Sequence, residues 1–332
     1  MKKIAFIASI FALLTLFIAC NSDSEKKNSE QAASNGKKIS VVATIYPQYA
    51  WLKEILGNQA DSLDLTLLIK NGMDLHSYKP SAADIATIAK ADMIVYVGGE
   101  SDEWIEKALE ATPNEKRVQV NLLAALGDRV KAEEIVEGMQ AEEEHEHHEH
   151  AEEVENDEHV WLSLKNAEIL VMALADAISK VDTAHAMEYH MNAGLYIAKI
   201  SALDAQYRAA MDSATHKTVL FGDRFPFRYL VDDYGIKYYA AFVGCSAESE
   251  ASFETVAFLA NKMDSLKLPA IFTIDGGNGK IAQAVLAASK KSKTAEVLTL
   301  NSMQSIKTSQ MDSTSYLDIM RENLEVIKKA LK

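Results

Sequence analysis

Cysteine is scarce in this chain of 332 residues, with Cys20 and Cys245 the only two. Two thiols cannot build a disulfide framework or an all-thiolate metal site. Cys245 has no evident partner and is expected to be a small buried apolar residue. Positive charge is also in short supply. Lys and Arg total 34 against 48 Asp and Glu, a formal net charge of −14. So negative a surface repels phosphate backbones, which excludes nucleic acid as a natural partner, and it suits cations. Hydrophobic residues at 48% and charged residues at 25% exclude wholesale disorder, collagen-like repeats and a multi-span membrane protein. Two catalytic signatures are missing as well. No His-Glu-x-x-His pattern occurs, and Gly276-Gly277-Asn278-Gly279-Lys280 lacks the spacing of a phosphate loop and reads as a turn.

What is present begins with an address. Lys2 and Lys3 precede one apolar run over residues 4–18, closed by Ala19-Cys20. A basic start, a run of about 15 apolar residues and a small residue before the cut describe a secretory signal. A spanning helix needs roughly 20. Leu16-Phe17-Ile18-Ala19-Cys20 resembles a bacterial lipobox, with Phe17 where Leu is usual, so residues 1–20 are expected to be a lipoprotein signal, cut ahead of Cys20, which becomes the lipidated first residue of the mature protein. A plain cleaved signal is the alternative. Residues 21–38, rich in Ser, Asn, Lys and Glu, read as a flexible tether.

From residue 39 short β-branched runs alternate with helical patterns. Strands are expected over 39–45, 63–69, 93–97 and 118–122, with helices over 48–56, 81–89 (Ser81 as N-cap, Asp84 three residues on) and 103–111. Residues 164–181 and 185–212 are two long helical stretches almost free of breakers. Alternation resumes with strands at 218–221, 236–242, 270–274 and 295–300. The intervening helices are expected at 225–234, 253–266 and 280–290, and a last one at 315–331. The economical reading is α/β: two β/α lobes with parallel sheets, joined by long helix. The N-terminal lobe covers 39–183, the linking helix 184–213 and the C-terminal lobe 214–332.

The nine His are unevenly placed. His145, His147, His148 and His150 alternate with Glu in an acidic loop, 141–158, that cannot bury a core. Clustered imidazoles beside carboxylates suit weak, exchangeable Zn²⁺ capture. His76 and His159 each lie just ahead of an expected helix, where ligands bind in open parallel sheets. His185, His190 and His216 have no such setting.

Several separated motifs, in order, resemble the metal-binding solute-binding proteins of ABC importers, the zinc/manganese group called solute-binding protein family 9. Asp74-Leu75-His76-Ser77-Tyr78-Lys79-Pro80 matches its Asp-Pro-His-x-Tyr-x-Pro motif. Asp157-Glu158-His159-Val160-Trp161-Leu162, with Asn166 following, matches a second, and a His/Glu-rich loop ahead of it marks the zinc type. Residues 314–327 match the family's final helix. The resemblance covers residues 39–332 and implies two lobes bridged by a long rigid helix, the layout of cluster A-I type periplasmic binding proteins, with metal held between lobes.

Carried over residue by residue, it implies His76 and His159 as ligands. The family's third position falls near Arg224, which cannot bind a cation, so the adjacent carboxylate Asp223 is the expected substitute. The fourth falls near Asn301, with Asp275 a further candidate. Glu248 and Glu250 match an acidic pair expected to orient a loop, and Asp74 and Asp157 are placed to hold the His tautomers.

The resemblance further implies a monomeric, lipid-anchored extracytoplasmic receptor, in the periplasm or on the cell surface, that is not an enzyme. It would deliver Zn²⁺ to an ABC permease and ATPase. Mn²⁺ or Fe²⁺ as cargo, a surface metal-buffering or adhesion lipoprotein, and a zinc hydrolase are the alternatives.

Overall fold

Runs such as Val41-Val42-Ala43 and Met93-Ile94-Val95 are buried on both faces, as the central strands of a helix-covered parallel sheet must be. The computed structural model describes residues 38–140, 155–246 and 250–332. The expected signal with Cys20, the tether up to residue 37, His145, His147, His148 and His150, and Glu248 therefore lie outside the described residues. The described residues from Lys38 onward belong to one unit.

The chain forms two α/β lobes. The first holds β1 (Ser40–Ala43), α1 (Tyr46–Leu56), β2 (Asp64–Leu67), α2 (Ala82–Lys90), β3 (Met93–Tyr96), α3 (Glu103–Ala111), β4 (Val118–Asn121) and α4 (Leu122–Leu126). Two long helices follow, α5 (Leu164–Val181) and α6 (Ala186–Asp212). The second lobe holds β5 (Thr218–Phe225), α7 (Arg228–Tyr234), β6 (Lys237–Val243), α8 (Phe253–Leu266), β7 (Ala270–Ile274), α9 (Lys280–Ala288) and β8 (Glu296–Leu300), and α10 (Tyr316–Ala330) closes the chain. Both sheets are wholly parallel, ordered β2-β1-β3-β4 and β6-β5-β7-β8. The same order twice over means that the loops leaving the C-terminal strand ends carry the ligand-binding positions of each lobe.

Helix α6 is the spine. Its buried residues Tyr189, Ala193, Tyr196, Ile200, Leu203, Tyr207 and Met211 recur at three and four, one helical stripe. Polar anchors fix it at several points. Asn192 Nδ2 donates to Ile55 O at 3.0 Å, Tyr207 Oη to Met320 O at 2.6 Å, and Tyr234 Oη to Asp204 Oδ1 at 3.0 Å. No helix among the described residues is long and apolar enough to cross a membrane.

Helix α4 is unexpected, starting at Leu122, the end of the strand expected over 118–122, and α7 starts late. The helix expected from residue 225 starts at Arg228, and β5 runs on to Phe225. Pro226 is the reason, because a residue before proline is driven out of the helical region into extended backbone. Phe225 then pairs with Val243 of β6 and stacks on Tyr238 at 3.8 Å between ring centroids. Asp223 consequently sits within a strand and caps no helix.

The turn after β3 rests on Asp102. Its Oδ2 accepts from Val97 N at 2.6 Å and Gly98 N at 3.2 Å. Burial, with Glu158 and Glu106 nearby, pushes its carboxyl up to about 7 despite those bonds. A carboxyl with a folded pKa above its unfolded value of about 3.9 destabilises progressively as pH rises from about 4 to 7. Asp102→Asn is therefore expected to flatten the fall in thermal midpoint across that window relative to the parent chain. Parallel pH profiles of the two would refute this reading of Asp102.

Candidate metal centre

Asp74 and Asp157 each stand two residues ahead of a histidine, and each folds its motif locally in the same way. Asp74 Oδ1 accepts from His76 N at 3.0 Å, and Asp157 Oδ1 accepts from His159 N at 2.8 Å. These Asx turns start the short 3₁₀ turns Leu75–Ser77 and Val160–Leu162. His76 leaves the β2 end of the first sheet, while His159 opens the segment leading into α5. Trp161 Nε1 donates to Ser302 O beyond β8 at 2.8 Å, which ties that segment to the second lobe.

The two rings meet with Nε2 atoms 3.0 Å apart. His159 is fully buried, and its Nδ1 lies 3.0 Å from Asp157 Oδ1. His76 Nδ1 lies 2.7 Å from Ser101 Oγ and 3.7 Å from Glu158 Oε2. An Nδ1–H directed at an oxygen leaves Nε2 as a lone pair. Both rings so arranged turn lone pairs toward each other, and two facing lone pairs at hydrogen-bond distance call for a proton or a cation between them. Burial foremost, then the neighbouring His159 and Arg224, holds the His76 pKa well below the usual histidine range, so the ring is neutral and available as a ligand. A carboxylate behind a ligating imidazole, as Asp157 stands behind His159, is the usual supporting arrangement for zinc.

The sequence-expected residues divide. Among the described residues, His76, His159 and Cys245 form a group whose donor atoms all lie within 4.8 Å of one another. Asp223 is not part of it. Its Oδ1 accepts from Arg224 N at 3.0 Å and its Oδ2 from Ile274 N at 3.2 Å. With Asp74, Arg224 and Asp275 it lines an adjoining cavity of about 460 Å³ that His76 also borders. Asp275 is committed to Ser302, accepting from its N at 2.5 Å and its Oγ at 2.7 Å. Asn301 Oδ1 accepts from Met303 N at 2.8 Å, which shapes the turn after β8. Arg224 pairs with Asp74, so Asp74 holds the His76 backbone and a guanidinium and makes no bond to the imidazole. Burial raises the pKa of Asp223, Asp275 and Glu158 alike.

Cys245 was expected to be an inert apolar residue; instead its sulfur stands beside the imidazole pair. It follows β6 by two residues, and Glu133 Oε1 fixes it by accepting from Cys245 N at 2.9 Å. Gly244 makes the approach possible, since a Cβ there would come within 2.9 Å of Phe225 O and 3.0 Å of His159 Cε1. Gln304, Ser101 and Gly244 also escaped the reading of the sequence; none carries a metal motif, and only the fold brings them here.

Two parallel-sheet lobes with a buried imidazole pair where their loops meet define a cation-binding protein of the two-lobed class. The comparisons agree. A profile of the family described as zinc-uptake complex component A, periplasmic, matches residues 41–330, and the chain belongs to that family. It is 32% identical over 333 residues to the high-affinity zinc uptake system protein ZnuA of Bacillus subtilis, covering 99% of this chain and 98% of that one. It is 30% identical over 332 residues to the zinc-binding lipoprotein AdcA of Streptococcus pneumoniae, covering 99% of this chain but spanning only 61% of that longer protein. The Zn(II)-bound ZnuA-like domain of Streptococcus pneumoniae AdcA superposes with a TM-score of 0.68 at 27% identity, over 89% of this chain and 99% of that one.

Gly244→Ala is expected to lower stability by about 1–3 kcal/mol through overpacking and to weaken cation binding by displacing the His159 ring. Urea unfolding and metal titration check both. An unchanged midpoint with unchanged affinity would mean the space beside His159 is slack.

Proposed function

We propose that this chain is an extracytoplasmic receptor that captures Zn²⁺ and hands it to the permease and ATPase of an ABC importer. The observation that carries the reading is the convergence of His76 Nε2 and His159 Nε2 at 3.0 Å, each with its Nδ1 held by an oxygen. Neutral imidazole is the donor zinc takes at about 2.0–2.1 Å. The printed roles of the relatives in Bacillus subtilis and Streptococcus pneumoniae, zinc uptake and zinc binding, support the choice of cargo.

The same constellation supports binding in preference to turnover. A hydrolytic zinc needs a general base or nucleophile poised at an open coordination position. Here the carboxylates nearest the rings, Asp157 and Glu158, lie behind the imidazoles on their Nδ1 side. The spine α6 ties both lobes together, so release calls for the permease to disturb the crevice. The lipobox-like residues 16–20 support lipid anchoring through Cys20, with the binding unit held monomeric at the outer face of the membrane.

Calorimetric titration of the full chain with Zn²⁺ tests the reading. His76→Ala and His159→Ala are each expected to weaken binding by more than the roughly 10–100-fold that losing a supporting group costs. Tight zinc binding that survives both substitutions together would overturn it.

A further inference from the structure

We propose that Cys245 is the third ligand of the cargo site, as a thiolate completing a His76–His159–Cys245 set selective for thiophilic divalent cations over Mn²⁺. The inference rests on the receptor reading above and assigns the metal class that the same site accepts.

Three features of the structure carry it. The first is distance. A tetrahedral zinc with bonds of about 2.0–2.3 Å holds its donors about 3.3–3.7 Å apart. The donor atoms of His76, His159 and Cys245 already lie within 4.8 Å of one another, so small side-chain rotations close the set. The second is that the competing carboxylate, Asp223, stands outside this donor group, with each of its oxygens turned to a backbone N–H group. The neighbouring Arg224 is a cation paired with Asp74 and offers no lone pair.

The third is Gln304, which is 6% exposed. Its Nε2 lies 3.1 Å from His159 Nε2, while its Oε1 is buried without a hydrogen-bond partner. Half a turn of that amide sets Oε1 where Nε2 stands, 3.1 Å from His159 Nε2. Turned this way, the amide oxygen gains a partner in a bound cation and supplies it with a fourth, weaker donor beside the two imidazole nitrogens.

Access is provided as well. His76 and Cys245 both line a cavity of about 550 Å³ whose walls include Glu100, Glu103, Glu106 and Glu133. Acidic walls raise the local cation concentration, and this cavity opens on the sulfur side of the site. Coordination forms one metal–sulfur bond and breaks the S–H bond. The proton leaves to solvent, and no electron changes hands. Thiolate with two imidazoles suits zinc, whereas manganese favours carboxylate, carbonyl and water oxygen.

The test uses the full chain loaded with Co²⁺ in place of Zn²⁺. A thiolate-to-cobalt charge-transfer band is expected in the near ultraviolet, retained in Cys20→Ser and lost in Cys245→Ser. Cys245→Ser should also weaken zinc binding by at least the roughly tenfold that a lost supporting group costs. Cys245→Asp should narrow the preference for Zn²⁺ over Mn²⁺. If the cobalt-loaded parent chain shows no such band while zinc binding still depends on His76 and His159, the thiolate assignment falls and the receptor reading stands. Loss of affinity in Asp223→Asn but not in Cys245→Ser would give the third position to the carboxylate. A parent chain that binds no zinc would remove the receptor reading, and the thiolate assignment with it.

Discussion

Two imidazoles with their Nε2 atoms 3.0 Å apart impose the constraint around which the crevice is arranged. Two neutral imidazole nitrogens this close need a proton or a cation between them, and the His159 ring is fully buried. The surrounding residues hold both rings in place. Asp157 takes Nδ1 of His159 while Ser101 and Glu158 face Nδ1 of His76. The same aspartates, through their bonds to backbone N–H groups, fix the turns on which both histidines stand. A site built this way is preorganised, so little ordering remains to be done when a cation enters.

The fold makes that proximity available by repeating one topology. Each sheet is parallel in the order 2-1-3-4, which gathers loops at the C-terminal strand ends of both lobes. His76 and Ser101 come from the first such edge; Asp223, Cys245, Asp275 and Asn301 come from the second. Cross-lobe bonds then hold the two edges together. Tyr229 Oη donates to Asp157 O at 2.8 Å and accepts from Lys131 N at 3.0 Å, while Tyr316 Oη donates to Trp161 O at 2.8 Å. The segment carrying His159 is thus clamped by tyrosines from α7 and α10. Substitutions far from the imidazole pair but within these contacts would reach it through the backbone of residues 157–161.

Local pattern made most of the architecture legible. Periodicity located α3, α5, α8 and β7 to the residue, because each is bounded by turn residues and has an unambiguous apolar repeat. Ser81 and Asp84 announced α2 through a capping box that the structure contains. At the end of β5 a single residue misled. Pro226 extended β5 and delayed α7, which moved Asp223 from the segment between strand and helix into the strand. The proposed ligand set was half legible. His76 and His159 sit in motifs with a spaced aspartate, whereas Cys245 belongs to no motif at all. Its role depends on β6 pairing with β5, on Gly244 leaving room against His159, and on Glu133 fixing its backbone. Those are long-range facts, invisible to spacing. The one local cue, a cysteine just past the end of a parallel strand, was outweighed by the scarcity of cysteine.

The central claim is that a cation sits between the two imidazoles. A crystal structure of the zinc-loaded chain, with anomalous scattering recorded on either side of the zinc edge, tests it most directly. One dominant anomalous peak within bonding distance of both His76 Nε2 and His159 Nε2 is expected. A dominant peak bonded elsewhere, with these two rings still in contact and no metal between them, would contradict it.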